Sequence, residues 1–317
     1  MKFACVGDIH GFWEDSDTEY FNASDYDFLL LTGDLPDHKP FPNRRQNLYQ
    51  KLNALRIPTY MALGNWDGAN LLQLIGEVFQ NKAFIHLGSL GHIRRIRKLK
   101  QNLSNIQIGS YSLIPLSDEN PTSKKRNDPN SNLGDFSHAN ERSRFNRIGL
   151  LIGRPFTCGG PNLGFQPSLK RIYRITSMED SVESYKKLID SCKEDFHSLI
   201  FLTHNGPTGL GDKATDIYGC DFRREEGDWG DPDLEVAIRY AKSNGIQIPL
   251  VVSGHMHHQN PKTKSLRKWL LEKDGTTYLN AAKVPRTGSY DFVELVEKEG
   301  MGTRKVVVKE NYIDRSI

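Results

Sequence analysis

Five short apolar runs along the chain each end in a polar side chain. The first run, residues 3–7, leads directly into Asp8 and His10. Short apolar runs bounded by glycine are typical of buried strands. The other four runs end, in chain order, at Gly33-Asp34, Gly64-Asn65, His204 and Gly254-His255-Met256-His257. The pattern predicts five buried strands that each carry an oxygen or nitrogen donor at the carboxyl end.

These donors are of the types that bind divalent cations. Asp8 and His10 are two residues apart, so in an extended chain their side chains point the same way. In open α/β sheets, ligands gather outside the carboxyl ends of the strands, so we expect the five ends to share one crevice. Glycine before Asp34, Asn65 and His255 lets the backbone approach a cation closely. Any one of these residues alone is more often structural, but their recurrence favours a metal site.

Segments with helical periodicity separate the predicted strands. N-cap patterns predict that helices begin at Ser177 and at Asp231. Alternating strands and helices are what a layered α/β domain requires. Further predictions from the periodicity are helices near 48–55 and 71–75 and strands near 83–87, 105–108, 277–279, 291–296 and 304–308, the last three assigned to a second sheet.

Residues 117–147 differ in composition from the rest of the chain. They are rich in Ser, Asn, Asp, Pro, Lys and Arg and have almost no apolar pattern. Such a stretch cannot bury enough surface to offset its ordering cost, so we expect an exposed, partly mobile insertion. Because the sequence shows no repeat and no second metal-like group of residues, it predicts one domain over residues 1–317 that contains this insertion.

Composition and charge narrow the classes of function. With 37% hydrophobic and 26% charged residues, the chain has an ordinary globular composition, and no apolar stretch is long enough to cross a bilayer. The net charge of +3 is too small to indicate nucleic-acid binding, so nucleic acid is not an expected partner. We interpret a local basic cluster as a solvated face rather than an anion or RNA patch. This cluster consists of Arg94, Arg95, Arg97, Lys98 and Lys100.

The cysteines and the N-terminal residues indicate the cellular compartment in which the protein is expected. The four cysteines are scattered, without a disulfide framework or a Cys-x-x-Cys pair, which indicates a reducing cytosol. Met1 and Lys2 lead straight into the first strand, which leaves no room for a signal peptide. We therefore expect a cytoplasmic protein. The sequence does not indicate an oligomeric state.

Together the five blocks resemble the calcineurin-like metallophosphoesterase family. The residues that carry the resemblance, in order and rough spacing, are Asp8-x-His10, Gly33-Asp34, Gly64-Asn65, His204 and Gly254-His255-x-His257. The resemblance spans residues 1 to about 290 and implies an α/β fold, a four-layer α/β/β/α sandwich of two mixed β-sheets flanked by helices. It also implies two divalent metal ions, for which we expect manganese, with iron, zinc or nickel as alternatives.

The resemblance also implies roles for individual residues. The implied ligands are Asp8, His10, Asp34 and His257 for a first ion, and Asp34, Asn65, His204 and His255 for a second. Asp34 would bridge the ions and, with Asn65 and His204, belong to the catalytic centre. The implied nucleophile is a hydroxide that bridges the metals, so that no serine or cysteine nucleophile is needed.

The third block departs from the family pattern. The family commonly has a histidine after Gly-Asn, which contacts the phosphate and helps protonate the leaving group, whereas this chain has Trp66. An indole cannot act as a general acid near neutral pH, so His38 is a candidate replacement. Trp66 either packs against the wall of the site or stacks on a planar part of the substrate. Arg154, beside glycine-rich backbone, is either an ordinary surface residue or a phosphate contact.

We therefore expect a dinuclear metal-dependent phosphoesterase, and specifically a phosphodiesterase on a nucleotide-type or other small phosphodiester. Members of this fold with a non-histidine residue at the position of Trp66 resemble phosphodiesterases. The second block lacks the Gly-Asp-x-x-Asp-Arg-Gly form of Ser/Thr protein phosphatases, which disfavours that activity. The alternatives are a phosphomonoesterase of the same fold and a catalytically weak metal-binding scaffold, which would be expected to have lost some ligands. A third option, a nucleic-acid-processing enzyme of the same fold, rests only on the basic cluster.

Overall fold

The structure of the protein is a computed structural model. It describes residues 1–36, 42–68, 82–116, 147–220, 222, 225–284, 286, 288–297 and 304–313. Within these residues, no helix combines the length and the apolar character needed to cross a membrane.

The strands of the described residues form two mixed sheets of six strands each. In chain order they are β1 (Lys2–Val6), β2 (Phe28–Leu31), β3 (Thr59–Ala62), β4 (Ile106–Gly109), β5 (Ser112–Leu116), β6 (Ile148–Ile152), β7 (Ser198–Leu202), β8 (Gln247–Ser253), β9 (Leu270–Lys273), β10 (Thr276–Asn280), β11 (Ser289–Glu297) and β12 (Arg304–Tyr312). The first sheet has the order β12-β11-β1-β2-β3-β4, and the second has the order β5-β6-β7-β8-β10-β9. β1, β2 and β3 run parallel, as do β7 and β8, so each set presents its carboxyl ends at one edge.

Helices cover the outer face of each sheet. They are α1 (Asp15–Ala23), α2 (Pro42–Asn53), α3 (Lys82–Asn102), α4 (Gln166–Tyr173), α5 (Met178–Cys192) and α6 (Pro232–Ser243). Phe21 of α1 and Leu99 of α3 share an apolar cluster with Met61 of the first sheet. Ile189 of α5 shares another cluster with Phe201 of the second sheet.

A third apolar cluster lies between the two sheets. Leu30, Leu202 and Val252 belong to it, whereas their chain neighbours Leu29 and Val251 face the helices. This alternation follows from the two-residue period of a strand, and it requires both faces of each sheet to be apolar. The expected four-layer α/β/β/α sandwich is confirmed.

Both helices that precede the histidine-bearing strands begin where the sequence predicts. At α5, the Ser177 hydroxyl accepts from the Asp180 N–H at 3.2 Å, and the Asp180 carboxylate accepts from the Ser177 N–H at 3.1 Å. At α6 the N-cap residue is Asp231, but its carboxylate makes no cap hydrogen bond. It accepts instead from the Thr157 hydroxyl and pairs with Arg154, which ties α6 to the loop after β6.

Two predictions about local structure are wrong. Residues 83–87 lie in α3 and not in a strand, because apolar positions continue at helical spacing through the buried Ile96, Leu99 and Leu103. A short apolar run alone does not distinguish a helix from a strand. Strands β11 and β12 join the first sheet and not the second, since β11 pairs with β1. The predicted helix at 71–75 and residues 117–146 of the insertion lie outside the described residues.

Candidate metal centre

Six side chains at four strand ends form two groups of potential metal ligands. One group is Asp8, His10 and His257, and the other is Asp34, His204 and His255. Within each group the donor atoms lie within 4.8 Å of one another. Five of the six residues are buried, and His257 is half-buried. Each group takes residues from both sheets, because the carboxyl ends of β1 and β2 meet those of β7 and β8.

In the first group, the donor atoms converge on one point. The Nε2 atoms of His10 and His257 lie 3.3 Å apart, and Asp8 Oδ1 lies 4.0 Å and 3.8 Å from them. Asp8 Oδ2 accepts from the His255 N–H at 2.9 Å, whereas Oδ1 has no hydrogen-bond partner among the described residues. His10 Nδ1 faces the Pro36 carbonyl at 3.4 Å, which favours a proton on Nδ1 and leaves Nε2 to bind a cation.

In the second group, His204 is the central residue. Its Nε2 lies 3.5 Å from Asp34 Oδ2 and 2.8 Å from Asn65 Oδ1. Its Nδ1 donates to the Thr32 carbonyl at 2.8 Å, which fixes the orientation of the ring. Asn65 is therefore beside the second group, and the structure brings together all seven ligands that the sequence analysis named.

Four of the ligand residues have unusual backbone conformations. Positive φ angles occur at Asp8 (48°), His10 (44°), Asp34 (51°) and His255 (64°). Residues with a Cβ adopt this region rarely, at a cost of roughly 1 kcal/mol or more each, and such positions cluster at functional sites. The strand ends are thus held in conformations that point these side chains into the centre.

Two glycines allow the strand ends to approach the ligands. A Cβ on Gly64 would lie 2.2 Å from Asp34 Oδ1 and 2.7 Å from His204 Cε1. A Cβ on Gly254 would lie 2.2 Å from Asp8 Oδ2. All three distances are far shorter than van der Waals contact, so a side chain at either position would displace one of these residues.

Asp67, a buried carboxylate to which the sequence analysis gave no role, holds two strand ends together. It accepts from the backbone N–H groups of Gly64 at 2.6 Å, Asp34 at 3.0 Å and Leu35 at 2.9 Å. Asp67 therefore fixes the end of β2 against the end of β3. Its signal in the sequence is its place two residues after Asn65 in the third block.

The centre brings several buried charges together. Burial raises the pKa of Asp8 to about 8, and the charge of Asp34 adds to this effect. Burial opposes the charge of His204, but Asp34 and Asp8 outweigh it and raise the pKa of His204 to about 10. Burial also acts to raise the pKa of Asp34, but His204 and His10 hold it well below its ordinary value. Carboxylates buried so closely are stabilised when a cation offsets their charge.

The donor set fits divalent cations. It consists of carboxylate and amide oxygens and imidazole nitrogens, without a thiolate. Such ligands suit manganese, iron, zinc and nickel, and they do not distinguish between these metals. The Oδ1 atom of Asp8, buried without a hydrogen-bond partner among the described residues, is a donor atom of the kind that a cation would satisfy.

Trp66 contributes to the centre through its backbone. Its N–H donates to Asp34 Oδ1 at 2.7 Å, and its side chain is half-buried. The main chain at this position thus orients a ligand whatever side chain it carries. His38, the other candidate for substrate contact, lies outside the described residues.

Arg154 occupies a different position from the expected one. It is 1% exposed, and its guanidinium donates to both carboxylate oxygens of Asp233, through Nε at 2.8 Å and Nη2 at 3.2 Å. Nη2 also lies 3.0 Å from Asp231 Oδ1. Because two carboxylates already offset its charge, we assign Arg154 a structural role and do not retain it as a phosphate contact or as a surface residue.

Phe222 is a neighbour of the centre that the sequence analysis missed. Its ring centroid lies 4.9 Å from that of His257 and 5.4 Å from that of His255, with the rings nearly perpendicular. The side chain is half-buried. No pattern in the surrounding sequence marks this residue, since its position depends on the packing of a loop.

The fold is similar to that of known structures. One is TT1561 of Thermus thermophilus, with a TM-score of 0.52, 9% identity and coverage of 99% of both chains. Another is a putative 5′-nucleotidase from Staphylococcus aureus in complex with alpha-ketoglutarate, with a TM-score of 0.51 and 12% identity over 98% of this chain and 54% of that one. The present chain thus spans about half the length of the second protein, and at such identities the likeness shows the fold alone. A search of curated proteins gave no match.

The sequence also matches a family model directly. Residues 1–259 match the model of the calcineurin-like phosphoesterases, which is well over half of the chain. The matched range includes every residue of the two ligand groups, from Asp8 to His257. The chain therefore belongs to the calcineurin-like phosphoesterase family and is a metal-dependent hydrolase of phosphoric esters.

Proposed function

We propose that the protein is a phosphodiesterase that acts on a nucleotide-type or other small phosphodiester with two divalent ions, manganese first among them. The observation that carries the proposal is the pair of adjacent ligand groups, each of which combines one aspartate with two histidines. A scaffold without turnover would be expected to have lost some of these residues, and all of them are present.

The ligand groups support a dinuclear centre. The residues that would hold the ions are Asp8, His10 and His257 for one, Asn65, His204 and His255 for the other, and Asp34 for both. When bound, such ions offset the charge of the phosphate and acidify water near neutral pH. Phosphoryl transfer demands mainly positioning and charge stabilisation.

The chain itself supplies the positioning. The carbonyl groups of Thr32 and Pro36 set the ring orientations of His204 and His10. Asp67 fixes the backbone from which Asp34 projects. These contacts hold the donor atoms in place before substrate arrives, so that little reorganisation is needed on binding.

Two aromatic residues support the choice of substrate class. Trp66 cannot protonate an alkoxide leaving group near neutral pH, so esters with good leaving groups should react fastest. Trp66 directly follows Asn65, and Phe222 packs on His255 and His257. Their rings offer faces on which a planar group such as a nucleobase could stack.

The test compares hydrolysis of bis(4-nitrophenyl) phosphate with that of 4-nitrophenyl phosphate in the presence of manganese. The wild type is expected to turn over the diester faster, and Asp34→Asn is expected to lose at least about 100-fold in turnover, because Asp34 would contact both ions. Asp25→Asn is the matched control, since the Asp25 carboxylate is 78% exposed and pairs with Lys2. Metal content, measured by mass spectrometry, reports binding independently of activity.

Each result bears on a different part of the proposal. A preference for the monoester would keep the metal-dependent mechanism and overturn the diester assignment. Equal activity of Asp34→Asn and Asp25→Asn would overturn the role of the centre. Bound metal without turnover of either ester or of a cyclic or linear dinucleotide would favour the scaffold.

A further inference from the structure

Two neighbouring parts of the fold come from segments that carry basic residues and no acidic ones. Residues 82–116 contain six Lys or Arg residues, and residues 147–178 contain five, while neither segment contains an aspartate or a glutamate. The whole chain has a net charge of only +3. These segments, which include helices α3 and α4, therefore carry a local excess of positive charge.

The C-terminal half of helix α3 presents its charges outward. Its inner positions, His92, Ile96 and Leu99, are buried against the protein. The basic residues between and after them are all exposed, namely Arg94, Arg95, Arg97, Lys98 and Lys100. From the sequence alone, this cluster is better explained as a solvated face than as an anion or RNA patch.

The structure adds a second basic helix beside the first. His92 Nδ1 and the Ser168 hydroxyl of α4 are 2.8 Å apart, and the His92 ring lies 5.2 Å from the ring of Phe165. Helix α4 and its C-cap in turn expose three basic residues, Lys170, Arg171 and Arg174. We call the set Arg94, Arg97, Lys98, Lys100, Lys170, Arg171 and Arg174 the basic ridge.

The charges of the basic ridge are not offset within the described part of the chain. None of its seven residues has an ion-pair partner there. Some basic residues elsewhere have such partners, as Lys51 has in Glu14 and Lys268 has in Asp216. A polyanion could approach the basic ridge without first displacing an acidic side chain.

We propose that the basic ridge binds the phosphate backbone of a nucleic acid without reading its sequence. Clustered cations on one face are the electrostatic footprint of such binding. A lipid surface fits less well, because interfacial helices insert an apolar face, and that of α3 is buried in the protein core. None of the seven residues of the basic ridge belongs to the metal centre, and the proposal holds whether or not the phosphodiesterase assignment does.

The test is fluorescence anisotropy with a labelled 20-base-pair phosphorothioate DNA duplex, whose backbone resists hydrolysis without any chelator, across about 50 to 200 mM salt. The first variant is Arg94→Gln/Arg97→Gln/Lys98→Gln, and the second is Lys170→Gln/Arg171→Gln/Arg174→Gln. Lys187→Gln/Lys213→Gln/Lys268→Gln is the control, because it removes three charges from side chains that are 61–74% exposed and lie beside acidic residues.

Wild type and control should bind with the same steep salt dependence. Each phosphate contact adds about 0.9 to the steepness with which log K falls against log salt concentration. Each ridge variant removes three charges, so its salt dependence should be shallower than that of the wild type by up to about 3. Thermal melting checks folding, and the two ridge variants are independent if one does not fold. Absence of wild-type binding at the lowest salt, wild-type slopes in both ridge variants, or binding to phosphatidylserine vesicles without binding to the duplex would each overturn the proposal.

Discussion

Replacing Arg154 by methionine should destabilise the protein strongly. The guanidinium makes three contacts of 2.8–3.2 Å with Asp231 and Asp233, and all three side chains are at most 3% exposed. Removing one partner of a buried ion pair leaves uncompensated charge, which costs about 3–5 kcal/mol in the free energy of unfolding. Two carboxylates would be left here. At about 2–4 °C per kcal/mol, the melting temperature should fall by roughly 10 °C.

The assay is thermal and urea unfolding of Arg154→Met beside Arg239→Met. Arg239 Nη1 lies 3.6 Å from Glu235 on the surface, and its side chain is 69% exposed, so its loss should change the free energy of unfolding by less than about 1 kcal/mol. The double variant Arg154→Met/Asp233→Asn should be more stable than the sum of the two single changes predicts, since it removes part of the uncompensated charge.

The same experiment distinguishes this role from phosphate binding. Kinetics of diester hydrolysis are measured well below the melting temperature of Arg154→Met. If Arg154→Met melts with the wild type and its KM rises tenfold or more, the guanidinium contacts substrate and the structural assignment is refuted. The expected result is the reverse, a large loss of stability with KM changed little in the fraction that remains folded.

Three further predictions test the centre and its surroundings. Gly64→Ala should abolish metal-dependent turnover, because the new Cβ would lie 2.2 Å from Asp34 Oδ1; normal metal content and activity would contradict this. Trp66→His should raise the turnover of an alkyl phosphate ester by about 100-fold relative to that of the matching 4-nitrophenyl ester if a missing general acid limits the alkyl ester, as paired kcat values would show. Burial holds the pKa of His92 at about 3, below the value of 6.5 for an exposed histidine. The neutral imidazole therefore contributes fully to the free energy of unfolding above pH 6.5, and this contribution is lost as pH falls below 6.5. Between pH 6.5 and 5, the free energy of unfolding of His92→Gln should therefore fall by about 2 kcal/mol less than that of the wild type, as measured by urea unfolding. Equal losses in the two proteins would contradict this prediction.

The residues that meet at the centre could be predicted because each follows directly from a local pattern. An apolar run that ends in Gly-Asp or Gly-His marks the end of a strand. In an α/β chain the carboxyl ends of the strands lie at one edge of the sheet, so five such ends are expected to meet there. Asp8 and His257 are 249 positions apart in number, yet each was identifiable from its own strand. Local sequence was therefore sufficient for residues whose role is set by the end of an element.

Residues whose role depends on packing could not be predicted in this way. In the sequence, Arg154 lies in a glycine-rich segment that suggests a loop. Its partners Asp231 and Asp233 are nearly 80 residues away, and they contact it because of how β6 and α6 pack together. Phe222 reaches two histidines through a loop. The strands β11 and β12 carry an alternating pattern that suits either sheet, and their pairing with β1 depends on the path of the whole chain.

The mixed origin of each ligand group gives the metal ions a mechanical role. His10 belongs to the first sheet and His257 to the second, so one ion would join two layers that are otherwise held together at this edge by apolar contact and by hydrogen bonds, such as that from the His255 N–H to Asp8 and that from His204 to the Thr32 carbonyl. Such an ion would be a reversible cross-link between residues nearly 250 positions apart. Like a disulfide, it would stabilise the fold by closing a long loop that is open in the unfolded chain. The contact between the two sheets would then be strongest at the edge that carries the metal centre. The availability of metal would affect the stability of the sandwich as well as its activity.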